Sequence, residues 1–146
     1  MRTKTLAMMI SLAMLSSVAT ARDSQKMQPI ADAMNTPAAK QKIAPEIKLY
    51  FGNQSHPDML SKIGNWGVNK KTNAFGKSDK AACEWAFLSA VITMQDRAKA
   101  EGGNAIINIK SNYRNVETSS ETEYMCGAGA IMAGVALKGD VVKLDK

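Results

Sequence analysis

The sequence predicts an α+β domain: a small, mostly antiparallel sheet of about four strands, one long helix packed across one face, and one disulfide stapling the two. Three observations carry this. Asp79 to Glu101 holds the clearest helical periodicity in the chain. The segments on either side are short β-branched runs bounded by turn residues. Of the two cysteines, Cys83 falls in the first turn of that helix and Cys126 opens the last apolar segment.

The chain begins with the three parts of an export signal. Arg2 and Lys4 give a positive start, Leu6 to Val18 is apolar, and Ala19-Thr20-Ala21 offers small residues where a signal peptidase cuts. The apolar run falls short of the roughly 20 residues needed to span a bilayer, so residues 1–21 are expected to be removed and the rest to be periplasmic or secreted. Neither cysteine lies at the cleavage site, so no lipid attachment is expected there. The 125 residues that remain make one domain with a modest core. The signal holds two of the 19 basic residues and none of the 13 acids, which leaves a net charge of +4. That balance favours weak adhesion to anionic surfaces over a dedicated nucleic-acid groove.

Residues 22–45 form an N-terminal arm, cut by Pro29, Pro37 and Pro45 into pieces too short for strong helices. "PIADAM" and "PAAKQKI" have proline placed to open a turn or two of helix, so the arm either docks on the domain or frays. From residue 46 to residue 146 the texture is that of a folded domain. "IKLYF" (Ile47 to Phe51), between Pro45 and Gly52-Asn53, is a strand. "NQSHPD" is a turn, "SKIGNWGV" a weaker, glycine-interrupted strand, and "NKKTN" a polar loop.

Ser78 or Asp79 caps the long helix and Gly102-Gly103 supplies its left-handed stop. Cys83, Phe87, Ala90, Val91, Met94 and Ala98 form one apolar stripe, and Trp85, Leu88 and Ile92 widen it over the first half. Ala105 to Lys110 is a short strand and residues 111–122 a polar loop or hairpin tip. "EYMCGAGAIMAGVALKG" alternates small and apolar residues, and its four glycines argue for a long strand with a bulge or a close backbone contact. The tail "DVVKLDK" extends the sheet or frays from it.

Gly76-Lys77-Ser78 ends like a phosphate-binding loop. That loop needs another glycine five positions before Gly76, where this chain has Lys71, and it must follow a buried strand. A helix cap explains the tripeptide, and a nucleotide or DNA role is disfavoured. His56, the one histidine, sits in a turn near Asp58; it supplies too few ligands for a metal, and it is the centre of an alternative reading as a small periplasmic hydrolase or ligand-binding enzyme. The methionines are scattered, unlike a copper-binding tract. Lys62, Lys70, Lys71, Lys77 and Lys80 gather before the helix, with few aromatics among them for stacking on bases. In an exported protein two cysteines imply one structural bridge, worth about 4 kcal/mol for a loop of this length.

"ACEWAFLSA", "RAKAEGGNAIINIKS" and "EYMCGAGAIMAGVAL" together resemble the RcsF family, envelope-stress sensor lipoproteins of enteric bacteria. In that family the helix cysteine pairs with a cysteine of the final strand, which implies a Cys83–Cys126 bridge. The family's second disulfide and lipidated cysteine have no counterpart residues here. The helix–GxNA–strand piece also resembles the small YbjQ-like domains. "LYFG", "KKTNAFGKSD" and "GGNAIINI" resemble small exported proteobacterial proteins often labelled excinuclease ATPase subunits; the complete nucleotide motifs such an ATPase needs are absent from this chain.

The expectation is therefore a non-enzymatic, periplasmic binding module, possessing no cofactor or metal, whose partner is an envelope protein or an anionic envelope polymer. Trp66, Asn69, Lys70, Lys71 and Lys77 are its candidate interaction surface.

Overall fold

The computed structural model describes residues 22–146; the expected export signal and its cleavage after Ala21 lie outside the described residues. The fold is α+β, with seven strands in one mixed sheet where the sequence predicts about four. The strands are β1 (Ser24–Pro29), β2 (Lys48–Phe51), β3 (Met59–Asn73), β4 (Ala105–Tyr113), β5 (Val116–Thr118), β6 (Glu123–Ala128) and β7 (Met132–Leu144). The helices are α1 (Ile30–Met34), α2 (Pro37–Lys42) and the long α3 (Asp79–Ala100). No helix among the described residues is long and apolar enough to cross a membrane.

The sheet is organised around β7. Along one side β7 pairs antiparallel with the whole of β3, from Met59↔Leu144 to Asn73↔Met132. Along the other side it pairs with β4 over its second half and with β6 at its start. β2 joins the far side of β4 in parallel, β5 folds back on the end of β4, and β1 pairs antiparallel with β6. Only the β2–β4 pair is parallel, which a chain can make because a strand and the long helix intervene between the two.

The sheet differs from the sequence expectation in three places, and in two more, the tail and the arm, it takes the docked one of the two expected alternatives. The polar "NKKTN" continues β3 instead of looping. The expected single long strand is two, β6 and β7, separated by Gly129-Ala130-Ile131, where the Gly129 N–H donates to the Met132 carbonyl at 2.8 Å. The tail stays in β7 to Leu144, and residues 111–122 contribute the end of β4 and all of β5. The N-terminal arm docks: β1 joins the sheet, and Ile30 and Ala33 of α1 enter the main core. The backbone of an extended polar segment finds its hydrogen bonds on a neighbouring strand whatever its side chains, so hydropathy patterning under-reports such strands.

Helix α3 behaves as its sequence dictates. The Ser78 hydroxyl accepts the Ala81 N–H, so Ser78 is the cap. At the other end Gly102 takes φ +81°, and the Gly103 and Gly102 N–H groups donate back to Ala98 and Lys99. This is the glycine stop in which two orphan carbonyls are satisfied. The apolar stripe of α3 packs on Val135, Leu137 and Val141 of β7, Ile106 and Ile109 of β4, and Phe51. Burying each such side chain contributes about 1.5–3 kcal/mol. Trp85 departs from the expected broad stripe: it is exposed, with Lys42 Nζ 5.5 Å over its ring. The buried Gln95 is the polar member of the stripe, and its amide group bonds Ala44 and Ile47, tying the end of the arm to the helix.

Cys83 and Cys126 are bonded, with Cα atoms 5.9 Å apart and both residues buried in the main core. The bridge joins the first turn of α3 to β6. Phe87, one turn after Cys83, stacks on Tyr124 with ring centroids 4.2 Å apart, so the staple lies beside an aromatic contact between the same two elements.

Candidate functional site

One face of the sheet is covered by α3, and the other is open. Strand alternation assigns residues to these faces. On β3, Trp66 and Val68 pack against the α3-side core, while Asn69 and Lys71 line a groove on the open face. The candidate interaction surface is thus divided between the two sides. Lys70 shares the helix-side parity of Trp66, whose ring lies 5.4 Å from the Arg97 guanidinium of α3. Lys77 sits in the turn after β3 and donates to the Asn73 carbonyl at 3.1 Å. The structure brings Asn69 and Lys71 together and separates them from Trp66 and Lys70.

The groove encloses about 680 Å³. Its floor is Gly127 of β6 and Gly134 of β7, directly paired across the two strands. A Cβ at Gly127 would overlap the Tyr113 phenol, whose hydroxyl end covers that glycine. Tyr113 reaches this position because Arg114 and Asn115, both at positive φ, turn the β4–β5 hairpin tightly back.

The walls are charged. Arg22 gives Asp79 a two-pronged hydrogen bond, 2.9 Å on each prong, and also donates to the Gly129 carbonyl at 2.9 Å. These bonds hold the Asp79 carboxyl below the usual carboxylate range and raise Arg22 above its own. Arg114 pairs with Asp23, whose carboxylate also accepts from the Tyr113 hydroxyl at 3.4 Å. Lys71 has neither an ion pair nor a hydrogen-bonded partner among the described residues. Three cations against the single Asp23 carboxylate leave the lining positive.

The remaining lysines of the expected basic group are engaged elsewhere. Lys62 contacts Asp140 at 3.1 Å on the open face, and Lys80 pairs with Asp32 and Glu84. His56 is exposed; its Nδ1 lies 2.8 Å from the Pro57 carbonyl oxygen and its ring meets Tyr50 edge-on. No hydroxyl or carboxylate hydrogen-bonds to it among the described residues. Gly76, at φ +72°, opens the turn that leads to the Ser78 cap, and the Ser78 hydroxyl is occupied by that cap. No group of three or more His, Cys, Asp or Glu able to hold a metal ion occurs among the described residues.

Sequence reasoning missed Arg22, Tyr113, Arg114, Gly127 and Gly134. The small residues of "CGAGAIMAG" were the available signal, because glycines on neighbouring strands leave a shallow floor where they pair. Compared with protein-family models, curated proteins and solved structures, the chain matches none of them.

Proposed function

We propose that this protein is a non-enzymatic binding module of the cell envelope, and that its groove takes a phosphate- or carboxylate-bearing envelope polymer. The observation that supports the reading is Lys71: a cation without a carboxylate partner, facing a glycine-floored groove whose other cations, Arg22 and Arg114, are already anchored by Asp79 and Asp23. Anchored guanidiniums are pre-organised donors, and a lysine without a counter-ion is the charge an incoming anion would neutralise. The open groove suits a chain lying across the sheet, and the floor is uncovered at Gly134, beside Lys71, whereas Tyr113 covers Gly127. Such binding weakens as salt rises.

Anisotropy of a fluorescein-labelled oligophosphate, titrated with purified protein at low salt, tests this. Lys71→Glu is expected to weaken binding about tenfold or more, while Lys143→Glu, the same charge change at the opposite end of the sheet, weakens it about twofold or less. Equal losses in both variants would mean that net charge alone is responsible and would remove the groove from the proposal.

A further inference from the structure

At the end of the sheet where β3 finishes and β7 begins, three large apolar side chains stand in water, and two of them, Ile131 and Met132, also line the groove. Phe75 is 75% exposed, Ile131 65% and Met132 47%. They come from two separate segments, the turn between β3 and α3 and the end of the β6–β7 turn with the first residue of β7, and the backbone joins them. The Ala74 N–H donates to the Ile131 carbonyl at 2.6 Å, and Asn73 is the register partner of Met132. The tip is also internally braced: Phe75 N–H donates to the Asn73 side chain at 2.8 Å, and Lys77 N–H to the Ala74 carbonyl at 3.0 Å. Large apolar side chains held out at one end of the sheet on hydrogen-bonded backbone cost hydration and gain nothing in the isolated fold.

The charges around it are in positive excess, the acids Asp23 and Asp79 being paired with Arg114 and Arg22. From Asn69 to Ser78 and from Met125 to Lys138 the chain contains no Asp or Glu, while Lys70, Lys71 and Lys77 lie in the first of these segments. Arg22 stands on the groove wall beside Gly129. A second copy of this chain would bring the same cations to the same place and be repelled. A bilayer with acidic headgroups meets both features together: apolar side chains enter the boundary between headgroups and acyl chains while lysines remain at phosphate level.

We infer that Phe75, Ile131 and Met132 form a membrane-docking tip that inserts shallowly into an anionic lipid surface, with Lys71 and Lys77 contacting its phosphates. The inference deepens the proposed binding role and rests on it for Lys71: it names lipid headgroups as the source of the anion. Insertion is peripheral and reversible, since three side chains are far fewer than a spanning segment supplies.

Sedimentation with vesicles separates the two ideas. The protein is expected to bind vesicles of phosphatidylcholine containing about one-third phosphatidylglycerol and to bind pure phosphatidylcholine at least tenfold more weakly. The change Phe75→Ser, at the one tip residue outside the groove lining, is expected to lower vesicle affinity about fivefold or more and leave oligophosphate binding intact. Lys71→Glu lowers both. A Phe75→Trp variant should shift its emission to the blue on acidic vesicles. Oligophosphate binding without vesicle binding, or vesicle binding unaffected by the Phe75 change, would overturn the tip and leave the groove standing. Vesicle binding that is independent of Lys71 and of lipid charge would overturn the headgroup role, and absence of binding to either probe would end both proposals.

Discussion

The two faces of the sheet use the same strands to opposite ends. Toward α3, β7 presents Val135, Leu137 and Val141 to a dry core closed by the Cys83–Cys126 bond. Away from α3, the same strand presents in succession a glycine, a lysine and an acid: Gly134 floors the groove, Lys138 pairs with Glu117 at 2.8 Å, and Asp140 accepts from Asn65 at 2.7 Å. Its far end closes a small satellite cluster with Ala105, Val142 and Leu144. Stability is concentrated on one side of a single layer, which leaves the other side free to carry charge and an open groove. The physical lesson is that a β-sheet one helix deep separates folding from recognition by residue parity alone.

The largest way to test that separation is the staple. Replacing both cysteines by alanine is expected to cost about 3–4 kcal/mol, measured as a lower urea midpoint, because it frees a closed loop of 43 residues in the unfolded chain. A change below about 1 kcal/mol would mean that the helix-side core holds without its covalent tie. A smaller, sharper test compares two glycines of β7. A Cβ at Gly139 would lie 2.9 Å from Ile106 and 3.0 Å from Met94 in the packed core, whereas at Gly134 its nearest neighbour is Lys71 Cγ at 3.6 Å. Gly139→Ala is expected to destabilise by about 1–3 kcal/mol and Gly134→Ala by under about 0.5 kcal/mol, read from thermal unfolding. Similar losses at both positions would contradict the division of labour between faces.

The smallest effect concerns Asp140. Burial pushes its carboxyl up, but hydrogen bonds from Asn65 and Lys62, with the Lys62 charge and Asn108, outweigh that and hold it below its ordinary value of 3.8. A carboxyl lowered in the folded state contributes stability that is complete above the unfolded-state value of about 4 and disappears as pH falls through the folded-state value. Asp140→Asn is therefore expected to cost about 1 kcal/mol at neutral pH and to flatten the loss of stability on acidification below about pH 4, followed by denaturant midpoints across pH. An unchanged acid slope would mean that the open-face ion cluster contributes nothing to folding.

Much of the helix-covered side was legible in the sequence. The period of Cys83, Phe87, Val91 and Met94, the Ser78 cap and the glycine stop each have a local cause that a neighbouring residue supplies. β2 and β4 were legible for the same reason, being apolar runs between turn residues. The open side was not, because its strands are held by their partners' backbones. β1, "SQKMQP", has no strand-like pattern and is defined by its ladder with β6. β3 runs beyond its apolar stretch into Asn69, Lys70 and Lys71, where alternation no longer follows hydropathy. The groove was hidden further still, since Arg22, Lys71 and Tyr113 come from three distant parts of the chain that only the sheet assembles. Lysines flagged as a group in sequence were divided by parity in space, which places Lys70 and Lys71 on opposite faces although they are neighbours.

The position of β7 has a consequence for the order of events in folding. Synthesis delivers this strand after the other six, yet β3, β4 and β6 all depend on it as their direct partner. Until it arrives, β3 has no ladder at all and α3 lacks the strand that carries Val135, Leu137 and Val141 of its core. Folding by steps from the N-terminus is therefore closed to this domain. The last strand completes the sheet in a step whose contacts are dominated by residues far apart in sequence, the kind of topology that folds slowly and is exposed to aggregation meanwhile.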